Sequence, residues 1–246
     1  MREYTPRMTV VAAGVEQFEG FSDDAIQFLL ELQAEQNRAW FKAHQADYAR
    51  LCRRPLELFV EELRQRLSDV YGGLREVEPH YFRIQRDTRF AKDKAPYKTN
   101  IAADLGIRAV RDDEAGRGVP GLYVSFGLDG EFVAIGAWHM APEVLARYRL
   151  LVADDRSGAR LQRHVETLLA RGCTLAAMEK LKRVPSPYPQ DHPRAELLKH
   201  KGLAVTAQPR ENVTGSRAML DWAEAELRAA APLVHLLDHE LFAASH

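Results

Sequence analysis

LYVSFGLDGEFVAIGA, residues 122–137, decides the fold class. Residues 122–126 and 131–137 each alternate apolar and other side chains, and Asp129-Gly130 lies between them. An Asp-Gly pair between alternating runs signals a tight antiparallel hairpin, because both residues accept the positive φ that such turns demand. The spacing predicts a β-hairpin over 122–137 turning at Asp129-Gly130, and so a sheet that is at least partly antiparallel.

Working outward, residues 101–107 read as a weaker strand and 111–121 as a polar loop. Phe82 and Ile84 alternate with Tyr81, Arg83 and Gln85, which predicts another strand. Residues 203–206 give a short one. Helical spacing governs both ends of the chain. Ser22 is placed as an N-cap with Asp23 and Asp24 in the first turn, ahead of Ala25, Phe28, Leu29 and Leu32. A second helix starts near Asn37, with Phe41, His44, Tyr48 and Leu51 on one face. Pro55 predicts a break near Arg54, followed by a helix carrying Leu56, Phe59, Val60, Leu63 and Leu67. After the hairpin, helices are expected from Pro142, around Leu161–Leu169, at Leu197-Leu198, and from Met219, the last restarting after Pro232. The fold class is α+β: one domain with a central, mainly antiparallel sheet and helices at both ends.

Composition narrows the function classes. The chain has 246 residues, with 34 Lys+Arg against 35 Asp+Glu, so no broad basic face is available to coat nucleic acid. Cys52 and Cys173 are far apart and form no Cys-x-x-Cys unit, which excludes a zinc ribbon or thioredoxin-type motif. The apolar run at 10–13 is too short for a signal sequence or membrane span, so a cytoplasmic protein without membrane partners is expected. G-x-S-x-G, GxxxxGK[ST] and GxGxxG are all absent, so no nucleophile elbow or nucleotide loop is legible. No catalytic residue and no cofactor is assigned.

The local exception to the balanced charge is residues 83–98, RIQRDTRFAKDKAPYK. Six basic residues (Arg83, Arg86, Arg89, Lys92, Lys94, Lys98) face two acids, with Phe90 and Tyr97 among them. If the strand runs through Phe90, Arg83, Asp87 and Arg89 line one face with Tyr81 and Gln85. Arg86 then falls with Phe82 and Ile84 on the apolar face, where a guanidinium needs a partner. Arginine forks suit phosphate or carboxylate, Asp87 orients them, and lysines in the following turn close over an anion. A second basic patch comprises Lys182, Arg183, His192, Lys199 and Lys201 in and after a proline-rich loop. His235 and His239 lie four apart on a helix, but no third ligand is evident, so no metal is assigned. Trp138 and His139 read as a hairpin-to-helix corner with a packed tryptophan.

RDTRFAKDKAPYKTN, with NRAWF at 37–41, resembles the bacterial domain-of-unknown-function family number 2461. The GLYVSF…EFVAIGAW hairpin, LKRVP from Leu181 and DHPRAELLKHKGL from Asp191 are similar too. The resemblance covers roughly 18–242, implying one domain there, a loosely ordered leader at 1–17 and a tail at 243–246. The family usually has Ser where this chain has Ala91. It brings no settled activity, cofactor or catalytic residue, and it implies that the two basic patches belong to one site.

The expected site is Arg83, Arg86, Asp87, Arg89, Lys92, Lys94, Tyr97 and Lys98 with Lys182 and Arg183, and the expected ligand is a phosphorylated or otherwise anionic small molecule. The alternatives are a nucleic-acid contact through the same strip, against which the near-zero net charge counts, and an interaction module for an acidic protein.

Overall fold

The computed structural model describes residues 16–89, 91–107, 120–176 and 179–242. Phe90, most of the polar loop at 111–121, most of the leader and the tail lie outside them. Six strands form one sheet: β1 (His80–Tyr81), β2 (Asn100–Asp104), β3 (Gly121–Gly127), β4 (Phe132–Ala137), β5 (Thr174–Leu175) and β6 (Leu203–Ala207). Their order is β1-β2-β3-β4-β6-β5, and every neighbouring pair is antiparallel.

The hairpin forms as its alternation predicts, with Leu122 opposite Ile135 and Val124 opposite Val133. Its turn is shifted by one residue. Gly130 donates its N–H to the Gly127 carbonyl at 3.0 Å, so Leu128 and Asp129 make the corner. Gly130 follows at φ 92°, a left-handed position that suits glycine after a three-residue loop.

Leu122, Val124 and Phe126, with Ile101, Ala103, Val133, Ile135 and Val205, point to one face and join the hydrophobic core. The helices cover that face. α1 (Asp23–Glu35), α2 (Arg38–Ala43), α3 (Gln45–Asp47) and α4 (Arg54–Leu67) form the N-terminal group. α5 (Pro142–Ala153), α6 (Asp155–Ala170), α7 (Ala195–Lys199) and α8 (Ala218–Phe242) form the C-terminal one. α4 lies against β2 and α8 against β4. Phe21 stacks on Phe126 with ring centroids 4.0 Å apart, so the residues before α1 belong to the core.

Two expected helix breaks do not occur. Before Pro55 the chain keeps turning through a π-helical segment, Tyr48–Arg53, in which Arg54 N–H reaches back to the Ala49 carbonyl. Proline's missing N–H is tolerated in the first turn of α4. Pro232 sits inside α8, which runs unbroken because Leu227, Ala230, Ala231, Leu233, Val234 and Leu237 bury one continuous stripe across it. β5 had no legible pattern, being two residues long. Among the described residues no helix is long and apolar enough to cross a membrane.

Candidate functional site

The basic strip folds as an irregular arm growing from the β1–β2 edge. His80 and Tyr81 face Asp104 and Ala103, but Gln85 then faces Tyr97, two residues short of the continued register. Phe82 donates to Ala102, Lys98 to Ile84 and Arg86 to Pro96 through backbone N–H groups at 2.8–3.0 Å. This bulge replaces the regular strand expected through Phe90, and it reassigns the faces. Ile84 enters the core as expected, but Phe82 turns to the opposite side of the sheet. Tyr81, expected among the polar groups, packs toward the helices with the Arg53 guanidinium 4.0 Å above its ring.

Most of the strip's charges are engaged within the arm. Arg89 pairs with Asp87 at 2.7 Å, and that guanidinium holds the Asp87 carboxyl at about 2. Arg86 pairs with Asp93 at 2.5 Å; its side chain is 30% exposed against 78% for Arg89, so it is the more covered of the two without being buried. Lys94 Nζ donates to the Thr88 carbonyl at 2.9 Å. Tyr97 is buried, stacked on Phe41 at 4.5 Å, and its backbone N–H and C=O both bond the Gln36 side chain. Its ring therefore serves the core.

Arg83 and Lys98 are different. They lie close enough that Arg83, after desolvation by burial, lowers the Lys98 pKa. No acid pairs with either at salt-bridge distance among the described residues, although Arg83 contributes to holding Asp87 ionised. Lys98 Nζ stands 5.6 Å over the Phe82 ring.

Phe82 opens onto a cavity of about 390 Å³ on the face of the sheet away from the core. Its walls are Phe82, Tyr123, Phe132 and Trp138; its floor is Gly121, Ala134, Gly136 and Ala204, with Asp104 beside them. The rings form a row, Phe82 to Tyr123 at 5.5 Å and Tyr123 to Phe132 at 5.6 Å. Trp138 is 52% exposed, which corrects its reading as a packed corner. Asp104 Oδ1 accepts from Gly106 N–H at 2.8 Å, and burial pushes its carboxyl above the ordinary range. The sequence reading missed this groove. Alternation along residues 123–138 carried the signal: the outward positions are only aromatic, small or hydroxyl-bearing.

The second patch lies elsewhere. Met140 bonds Lys201, and Lys180 bridges to His200, so this region continues the sheet beyond the Ala137–Leu203 end. The arm continues it beyond the Asn100–Gly127 end. About 20 Å of strand separates those ends at ~3.3 Å per residue. Arg83 lies near Lys98, and among the described residues no hydrogen bond or ion pair links Lys182 or Arg183 to the arm. Within the patch, Lys180 and Lys199 each reach Glu196 at 2.5 Å, holding its carboxyl at about 2, and Lys201 pairs with Glu179. His192 accepts the Arg194 N–H, and buried Arg194 caps the end of α5 through the Val152 carbonyl at 2.6 Å. Lys182 and Arg183 are exposed.

Of the other candidates, His235 stacks on Tyr71 at 5.6 Å and His239 lies 3.5 Å from Glu240. The described residues contain no group of three or more His, Cys, Asp or Glu side chains able to hold a metal. Cys52 is buried and its thiol is pushed up to about 12 by desolvation.

Comparison with known proteins gives a family model, Conserved hypothetical protein (DUF2461), matching residues 24–236. The chain belongs to this family. The match takes in the arm, the sheet with its groove, the second basic patch and most of α8, so all of them lie within the DUF2461 region. No curated protein matches the chain. No solved structure matches it either.

Proposed function

We propose that this protein binds a phosphorylated or otherwise anionic small molecule where the arm meets the groove. Arg83 and Lys98 receive the anion, and the aromatic groove takes the rest of the ligand. What supports this is that Arg83 lies near enough to Lys98 to lower its pKa, after burial, while no acid stands at ion-pairing distance from either among the described residues. Like charges held together are unfavourable until an anion joins them, and Lys98 loses solvent as well. In this reading Asp87, Arg89, Arg86 and Asp93 shape the arm, Lys94 ties its tip, and Lys92 remains a mobile charge at the rim. Lys182 and Arg183, which make no hydrogen bond or ion pair with the arm among the described residues, are in this reading not needed to hold the same compact anion.

A second reading draws on the same ring row. Aromatic side chains across an antiparallel sheet, with cations alongside, form a platform on which single-stranded bases stack. The walled cavity favours one small molecule over a strand.

A thermal-shift screen with phosphate, sugar phosphates, nucleotides and short oligonucleotides separates the two, since a ligand that binds only the folded form raises Tm. The small-molecule reading expects single phosphorylated compounds to stabilise the wild type and not Arg83→Ala or Lys98→Ala. Stabilisation that grows with oligonucleotide length supports the second reading. No shift with any anion rejects both.

A further inference from the structure

Asp104 sets a chemistry of its own in the groove. It is paired directly across β2–β3 with Tyr123 and across β1–β2 with His80. Its Oδ1 is satisfied by Gly106 N–H. Its other oxygen lies over Gly121, and no hydrogen bond or ion pair reaches it among the described residues. Arg64, whose charge Asp104 also feels, is engaged with the Leu105 and Leu74 carbonyls. None of the described residues lining the groove is Lys, Arg or His, although Lys98 stands over the Phe82 ring at its arm end.

A carboxylate drawn out of water costs free energy unless a cation or donor meets it. Here that oxygen lies over Gly121 beside a groove walled by aromatic rings, and His80 and Arg64 act on the carboxyl through space without reaching ion-pairing distance among the described residues. Ring faces carry negative potential and attract cations, most strongly where water is excluded. The floor of glycine and alanine leaves room beside the carboxylate for several heavy atoms.

We propose that the groove binds the ammonium end of a small organic cation, with Asp104 as counter-charge and the rings of Phe82, Tyr123 and Trp138 as its walls. This binding does not depend on the anion at Arg83 and Lys98. One consequence rests on that reading: if both ends are filled by one molecule, the ligand is zwitterionic, its anion at the arm and its amine at Asp104.

The test titrates tetramethylammonium chloride into the full chain, read by thermal shift and tryptophan fluorescence, with sodium chloride at matched ionic strength as control. Saturable stabilisation beyond sodium is expected, and Asp104→Asn should weaken it roughly tenfold or more, the scale of a lost charged contact. Trp138→Leu, at an exposed position that folding tolerates, should weaken it several-fold by thermal shift. Wild type that responds no more to tetramethylammonium than to sodium, or an Asp104→Asn protein that binds as tightly as wild type, overturns the proposal. Inorganic phosphate titrated in parallel reads the arm separately. Ammonium binding without phosphate binding rejects the anion reading alone, and the reverse rejects this one alone.

Discussion

The carboxylate of Asp104 occupies the space that a side chain on Gly121 would need. Its Oδ2 lies 2.5 Å from where a β-carbon on Gly121 would stand. Gly121 is paired across the hairpin with Gly136, whose φ is 124° and whose β-carbon would meet the Leu203 carbonyl at 2.2 Å. Two facing glycines thus clear the middle of the sheet, and the aspartate leans into the gap.

Gly121→Ala should displace Asp104 from Gly106 and shrink the groove. Crowding a packed site costs ~1–3 kcal/mol. Urea unfolding should show a lower midpoint at unchanged slope, and tetramethylammonium binding should weaken with it. An unchanged midpoint would show that the aspartate moves aside freely.

Asp104 should also leave a signature in stability against pH. Burial raises its folded pKa above 3.8, so the folded state favours the protonated acid. The unfavourable contribution is absent below the ordinary carboxylate range and grows as pH rises from there through the folded pKa. Asp104→Asn should therefore be more stable than wild type at neutral pH, and this advantage should vanish in acid. Paired melting curves from pH 3 to 8 check the sign; a variant less stable at pH 7 contradicts it.

Gln36 ends α1 at φ 34° and clamps the arm, accepting from Tyr97 N–H at 3.1 Å and donating to its carbonyl at 3.3 Å. Gln36→Ala loses both bonds, a cost of ~1–2 kcal/mol. Hydrogen exchange should quicken selectively at Tyr97 and Lys98. Uniform acceleration across the sheet would mean that the clamp is global.

Arg86 tests how far burial governs a charge. A fully buried guanidinium would make Arg86→Ala cost ~3 kcal/mol. Its actual partner, Asp93, is 67% exposed, so the pair is worth no more than ~1 kcal/mol. A Tm loss of several degrees or less is expected, and a collapse of the fold would show an unrecognised role.

The sheet was legible because its strands alternate, and most helices because their apolar residues recur at helical spacing. The arm was not, because the segment from Tyr97 to Ala102 holds two residues more than the facing Phe82–Gln85 and breaks the regular pairing, and no periodicity announces such a bulge. Pro232 misled in the other direction: local propensity predicted a break where tertiary burial holds one helix. Arg83 and Lys98 were named from the sequence. That Lys98 stands over Phe82 with the Arg83 charge near it, while Arg86 and Arg89 turn to Asp93 and Asp87, depends on folding. Asp104 went unread because a single acid in a weak strand carries no pattern.

In the proposed function Arg83 and Lys98 receive an anion at the mouth of the groove. Calorimetric titration with a phosphorylated aromatic compound, such as a nucleoside monophosphate, tests it most directly when wild type is compared with the Arg83→Ala/Lys98→Ala double variant. Wild type should bind saturably, the double variant roughly tenfold or more weakly, and raising the salt from ~20 to ~300 mM should weaken wild type in particular. Equal binding by the two proteins, or heat no greater than that of a control protein for this compound, phosphate and sugar phosphates alike, would contradict it.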